Sequence, residues 1–169
     1  AVFLPFFYYL VHDLGPIAFL SLAVTAGMLA VGEFYRLHLG QAPWPGWCWL
    51  GVAATGLLIG SAQWPTLITD RAVLLGTLAI ALCLPLLSGK SLRDSLTDGM
   101  VLIMGVLYIG LTLSYLVLVR GLSDGALLIF FAFLVTWAGD TGAYVAGKSM
   151  GRHALAPVIS PKKTYEGLA

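Results

Sequence analysis

Three polar side chains in an otherwise apolar part of the sequence are spaced so that they could act together. Asp140 ends an apolar run over residues 125–139, and Tyr144 and Lys148 follow it at intervals of four. On a helix this spacing places a carboxylate, a phenol and an ammonium on one face. An acid at membrane depth costs about 2.5–3.5 kcal/mol on insertion scales, so such residues usually serve function and face a polar cavity. The alternative is a structural pairing of Asp140 with Lys148 or Thr141.

A second polar group lies in residues 160–167, SPKKTYEG. Lys162 and Lys163 carry adjacent ammonium groups, and lysine binds phosphate as a compact point charge. The hydroxyls of Ser160 and Thr164 could donate to the same anion, or cap a following helix whose positive end faces it. The Ser-Pro pair predicts a turn. The chemistry indicated is recognition of a polyphosphate, although on spacing alone two lysines that merely fix membrane topology are the commoner case.

The composition places these residues in a membrane protein. The chain has 169 residues, of which 59% are hydrophobic and 10% are charged, and its mean hydropathy is +0.92. A soluble domain carries roughly 25% charged residues, and a disordered chain needs low hydrophobicity, so both classes are excluded. The remaining class is a polytopic membrane protein. Cys48 and Cys83 lie in apolar runs and are predicted to be small buried hydrophobes, not a disulfide or a metal pair.

Apolar stretches of about 20 residues predict the transmembrane helices that position both polar groups. The stretches lack the alternation of a membrane barrel, so the predicted fold class is all-α, a polytopic helical membrane protein with about five to six transmembrane helices. The five clear stretches are residues 14–34, 44–69, 72–88, 99–119 and 125–147, and residues 1–11 are a weaker sixth. The predicted organisation is a transmembrane region over 1–139 and a helix end with a cytoplasmic nucleotide-binding motif over 140–169.

The basic residues predict the orientation of the chain. With five spans, one side holds Arg36, Lys90, Arg93, Lys148, Arg152, Lys162 and Lys163, and the other holds Arg71 and Arg120. The positive-inside bias places the first side, with residues 148–169, in the cytoplasm. This inference requires residues 44–69 to cross once and fails if they form a re-entrant hairpin. Residues 89–98 are mixed in charge and predict a solvated loop, with an interfacial turn of helix as the alternative.

Residues 137–167 resemble the middle of the phosphatidate cytidylyltransferase (CDP-diacylglycerol synthase) family. The shared pattern is an acid followed by TGAY, then GK, GRH-x-LAP and SPKKTYEG, and it begins at Asp140. Glu33 and Phe34, at the end of an early span, match the family more loosely. The family's K-R-x4-K-D and P-x-H-G-G-x-x-D-R-x-D stretches, whose aspartates are expected to hold catalytic metal, do not occur before Ala169. The natural protein is therefore expected to continue, and the fragment alone to be inactive.

The resemblance implies a reaction and a role for each polar residue of the motif. CTP and phosphatidate would give CDP-diacylglycerol and pyrophosphate, with a divalent metal expected to be Mg²⁺, whose ligands would lie beyond Ala169. Asp140 and Lys163 are the expected catalytic residues. Substrate-binding roles are expected for Tyr144, Lys148, Ser160, Lys162, Thr164 and Glu166.

The resemblance also implies a location and leaves alternatives open. The protein is expected in a bacterial inner membrane, bound to no nucleic acid, with a homodimer as a candidate assembly. A fragment of a membrane transporter is the first alternative, because broken spans and an intramembrane acid fit that class as well. A CTP-dependent lipid kinase is the second.

Overall fold

A computed structural model of the protein describes residues 3–13, 15–39, 44–67, 69–156 and 160–168, except for the side chains of residues 3–6, 39, 85, 161 and 162. The elements are α1 (Phe3–His12), α2 (Pro16–Leu39), α3 (Gly46–Ser61), α4 (Asp70–Leu87), α5 (Leu92–Gly105), a π-helix (Val106–Leu111), α6 (Thr112–Arg120), α7 (Gly125–Met150), β1 (Ala154–Ala156) and β2 (Ser160–Thr164). The all-α class is confirmed, with one short hairpin that was not predicted. The chain divides into two compact units, Ala1–Ala126 and Leu127–Ala169.

Three described helical runs are long and apolar enough to cross a membrane, namely Pro16–His38, Leu92–Arg120 and Gly125–Met150. The second predicted stretch is shorter as a helix than expected, because α3 ends at Ser61 and turns follow it. Thr69 belongs to the next helix as its N-cap, since its hydroxyl accepts from the amide of Ala72 at 3.3 Å. Hydropathy therefore located the helices, whereas the exact residue at which a helix begins depends on a capping residue such as Thr69.

The solvated loop predicted over residues 89–98 is wrong for most of its length, because α5 already begins at Leu92. Ser91 caps that helix: its hydroxyl accepts from the amide of Asp94 at 3.2 Å and donates to the Asp94 carboxylate at 2.7 Å. A serine followed three residues later by an acid is a capping signal. Gly89, with φ of 63°, makes the turn before it, in a conformation that favours glycine.

The core of residues 1–126 is built around Tyr35 of α2, which is fully buried. Its hydroxyl donates to the carbonyl of Leu102 at 3.2 Å, and its ring meets Trp47 edge-on with 5.5 Å between centroids. The ring lies against Gly51 of α3 and Gly105 of α5, where a Cβ would overlap its atoms. Glycine in these apolar helices thus allows close packing, as expected in lipid.

The two cysteines differ in environment. Cys48 is fully buried in this core, as predicted, whereas Cys83 of α4 is exposed, so the prediction is wrong for Cys83. Both thiols are free. Apolar sequence does not distinguish a helix face in a protein core from one that faces outward, because lipid is as apolar as the core.

Asp98, in α5, is a buried carboxylate that was not predicted from the sequence. One of its oxygens accepts from Nζ of Lys90 at 2.6 Å, and the other lies 3.5 Å from Nε2 of His38. Its side chain is only 7% exposed. Asp98 therefore connects α5 to two other parts of the chain: the turn before α5, through Lys90, and the end of α2, through His38.

Asp98→Asn should lower the free energy of unfolding by about 1–3 kcal/mol, because it leaves the Lys90 ammonium without its anionic partner in a partly buried site. Thermal unfolding of the protein in detergent micelles measures the change. Glu33→Gln is the control, because Glu33 is an exposed residue of α2 whose carboxylate forms no hydrogen bond or ion pair with another described residue, and it should cost less than about 0.5 kcal/mol. Equal losses in the two variants would contradict the role of burial.

Candidate functional site

Helix α7 carries the predicted acidic face and extends to Met150. Asp140, Tyr144 and Lys148 all lie on this helix and are exposed. Nζ of Lys148 lies 5.7 Å from the centroid of the Tyr144 ring, a cation–π contact. The Asp140 carboxylate forms no hydrogen bond or ion pair with another described residue, so the alternative pairing with Lys148 or Thr141 is not formed within the described part of the chain.

The lysine pair lies on strand β2, so the turn predicted at Ser160-Pro161 is wrong. Ser160 pairs with Ala156 of β1, and Thr164 pairs with Ala154, in an antiparallel hairpin with an irregularity between the two pairs. Proline lacks a backbone donor but is tolerated in edge strands, and in a two-stranded sheet both strands are edges. Lys163 is exposed.

The residues after β2 form a turn, so the alternative in which Ser160 or Thr164 caps a following helix is not formed. Oγ1 of Thr164 accepts a hydrogen bond from the amide of Gly167 at 3.3 Å, so this hydroxyl caps the turn. The amide of Leu168 donates to the carbonyl of Tyr165 at 3.0 Å and closes it. Thr164 therefore stabilises the turn that follows β2, the strand that carries Lys162 and Lys163 and is called the lysine strand below.

The two halves of the motif contact each other through glycines that were not singled out from the sequence. A Cβ on Gly167 would lie 2.8 Å from the carbonyl oxygen of Ala143 and 3.2 Å from Cα of Gly147. A Cβ on Gly151 would lie 2.8 Å from Cγ2 of Thr164. The end of the lysine strand thus packs directly on the helix of Asp140. The separation of four between Gly147 and Gly151, typical of close helix contacts, was an available signal.

Glu166 is held by three hydrogen bonds to the segment that precedes β1. Its Oε2 accepts from the backbone amides of Arg152 at 3.1 Å and His153 at 3.3 Å, and Oε1 accepts from Nδ1 of His153 at 2.7 Å. These bonds, with that of the His153 ring foremost, stabilise the charged form and lower the pKa of Glu166 from 4.5 to about 2. The carboxylate predicted to bind substrate is therefore engaged within the protein, and its partner His153 belongs to the GRH element, for which the sequence predicted no role.

Comparison with known proteins identifies the family of the chain. The model of the cytidylyltransferase family matches residues 1–169. The chain belongs to the cytidylyltransferase family. Proteins named phosphatidate cytidylyltransferase from Staphylococcus saprophyticus and Staphylococcus haemolyticus are each 49% identical to it over 75 residues, and one from Staphylococcus aureus is 47% identical over 75 residues. Each match covers 44% of this chain and 28% of the relative's length. No solved structure matches.

An open cleft of about 500 Å³ lies beside the Glu166 carboxylate. Its lining residues come from the end of α7, the segment before β1 and the final turn: Ser149, Met150, Gly151, Arg152, His153 and Glu166. Arg152 is exposed here, and a guanidinium recognises phosphate through paired hydrogen bonds. The cleft thus combines a cation with room for part of a nucleotide.

The described residues do not by themselves fit a Mg²⁺ site. They contain no group of three or more His, Cys, Asp or Glu side chains that could hold a metal ion. Asp140 offers one carboxylate, and Glu166 is already occupied by three donors. Mg²⁺ prefers octahedral oxygen coordination, and of the two carboxylates in residues 127–169 only that of Asp140 is not already held by other described residues.

Proposed function

We propose that the whole protein transfers a cytidylyl group from CTP to phosphatidate, giving CDP-diacylglycerol and pyrophosphate. The observation that carries this proposal is the direct contact between the acid-bearing helix α7 and the lysine-bearing strand β2, at Gly147, Thr164 and Gly167. Family membership and the names of the relatives support the choice of reactants.

The chemistry requires positive charge where two polyanions meet. A phosphate oxygen of phosphatidate forms a bond to the α-phosphorus of CTP, and the bond from that phosphorus to the oxygen bridging to the β-phosphorus breaks, so that pyrophosphate leaves. Preorganised cations lower the barrier by offsetting the charge that gathers there. We assign this role to Lys163, with Lys162 beside it in sequence, and assign Ser160 and Thr164 to shaping the strand that presents them.

We assign the face of α7 that carries Asp140, Tyr144 and Lys148 to binding phosphatidate. The Lys148 ammonium, held over the Tyr144 ring, offers a cation to the phosphate of phosphatidate. Asp140, exposed one turn away, has a carboxylate that no other described residue engages, so it is available to position substrate or metal.

Metal, location and assembly belong to the same proposal. A divalent cation, with Mg²⁺ expected, would supply Lewis-acid charge to the phosphates, but no step is assigned to it because the described residues give no ligand set. The distribution of basic residues supports a cytoplasmic site in a bacterial inner membrane. A homodimer stays a prediction.

Labelled CTP tests the proposed reaction with the full-length protein in detergent micelles, with phosphatidate and Mg²⁺ present. We expect the α-phosphate label to enter the lipid fraction and the γ-phosphate label to leave as pyrophosphate. Omission of phosphatidate is the control and should abolish labelling of lipid. Transfer of the γ-phosphate label to lipid would instead indicate a kinase. Solute flux in liposomes without any labelling of lipid would indicate a transporter.

A further inference from the structure

We propose that Glu166 and His153 are positioning residues that fix the strand carrying Lys163 against the end of α7 and thereby set the affinity for nucleotide. We call the hydrogen bonds from Glu166 to the His153 ring and to the amides of Arg152 and His153 the carboxylate clasp. The inference rests on the proposed function but concerns residues that would act through Lys163 and not on substrate.

The carboxylate clasp joins the two ends of the hairpin. His153 immediately precedes β1, and Glu166 lies two residues after β2 ends at Thr164. The amide of Tyr165 also donates to the carbonyl of His153 at 3.0 Å, so a backbone bond adjoins the clasp. Because Lys163 is only three residues from Glu166, its position relative to α7 depends on this junction.

Close contacts restrict the movement of the backbone at the junction between His153 and Glu166. Thr164 packs against Gly151 on one side of it, and Gly167 packs against Ala143 on the other, at distances that exclude a Cβ. A strand end held by both hydrogen bonds and backbone contact presents Lys163 in one place. Preorganisation of this kind improves binding by reducing the ordering that the ligand must impose.

The clasp is too exposed for folding stability to be its main effect. The His153 side chain is 76% exposed and that of Glu166 is 26% exposed, and ion pairs in contact with water contribute little to stability. Since the carboxylate must accept from Nδ1, that nitrogen carries the hydrogen and the ring orientation is set. Nε2 has no partner among the described residues.

Two substitutions at His153 separate positioning from direct contact with substrate. Asparagine keeps a donor close to the position of Nδ1, whereas glutamine places one close to Nε2. In the full-length protein we expect His153→Asn to stay within about threefold of the wild-type KM for CTP. His153→Gln and Glu166→Gln should raise that KM about tenfold and change kcat by less than about threefold. The loosened strand must be ordered when CTP binds, and ground and transition states share this cost.

A titration of the Glu166 carboxyl by NMR provides a readout that is independent of turnover. The wild-type pKa should be about 2, should stay low in His153→Asn and should rise towards 4.5 in His153→Gln. A carboxyl with a lowered pKa in the folded state stabilises that state above about pH 4.5, and this stabilisation is lost as the pH falls towards 2. His153→Gln should therefore show a weaker loss of hairpin structure over this pH range.

The outcomes distinguish failure of the inference from failure of the proposed function. An active wild type with His153→Gln unaffected and His153→Asn impaired would overturn the positioning role and indicate contact through Nε2. An active wild type with every variant unchanged would also overturn it. A wild type without CTP turnover would overturn the proposed function, and the positioning role with it.

Discussion

Replacing Lys163 by alanine in the whole protein should lower CTP turnover by about 100-fold, the usual effect of removing one preorganised group that stabilises transition-state charge. The amount of folded protein should not change, because Lys163 is exposed and its ammonium forms no ion pair or hydrogen bond with another described residue. Transfer of the α-phosphate label per mole of protein recovered as a monodisperse peak measures the effect.

Two control variants accompany Lys163→Ala. Arg93→Ala removes one exposed positive charge from residues 1–126 and should leave turnover within about twofold of wild type. Lys163→Arg keeps the charge and should retain more activity than the alanine variant, although a guanidinium does not reproduce the compact ammonium. Normal turnover in Lys163→Ala would favour the simpler explanation that the lysine pair only fixes membrane topology.

Much of the helical architecture could be predicted because the chemistry of lipid leaves few choices. Long apolar runs need internal hydrogen bonding, so helices over α2, residues 99–119 and α7 could be predicted from hydropathy, although the helical run around residues 99–119 begins earlier, at Leu92. Helix ends were less accurate, because single residues such as Ser91 determine them. Asp98 was missed for a related reason: it lies in a polar segment, where local sequence does not reveal that one carboxylate is buried.

The candidate site could be predicted as a set of residues but not as a geometry. The spacing of Asp140, Tyr144 and Lys148 needs only a helix, and α7 supplies one. The contact between Glu166 and His153 spans thirteen residues and depends on a hairpin that has no strong alternation in its sequence. The role of Gly167 depends on the absence of a side chain next to a neighbouring backbone. Contacts of this kind can be identified only from the folded structure, in which the end of α7 and the hairpin lie against each other.

Replacing Gly151 by alanine should separate the lysine strand from α7 and reduce CTP turnover of the whole protein by about 100-fold or more. The added Cβ would overlap the carbonyl oxygen of Gly147 and come within 2.8 Å of Cγ2 of Thr164. A backbone oxygen cannot move aside as a flexible side chain can, so the segment after α7 must shift. Since a misplacement of about 1 Å can cost about 100-fold in rate, the loss should appear in turnover before it appears in the helices. Limited proteolysis should show faster cleavage within residues 151–168.

Gly139→Ala is the matched control, because it places the same methyl group on α7 before the shared pattern begins, where nothing lies within 4 Å. Alanine is favoured over glycine inside a helix by about 1 kcal/mol, so this variant should be slightly more stable and equally active. Thr164→Ser in the Gly151→Ala background removes Cγ2 but leaves the clash with the Gly147 carbonyl, so it should restore only part of the activity. Full activity of Gly151→Ala alone would contradict the close contact between helix and strand, on which the placement of Lys163 depends.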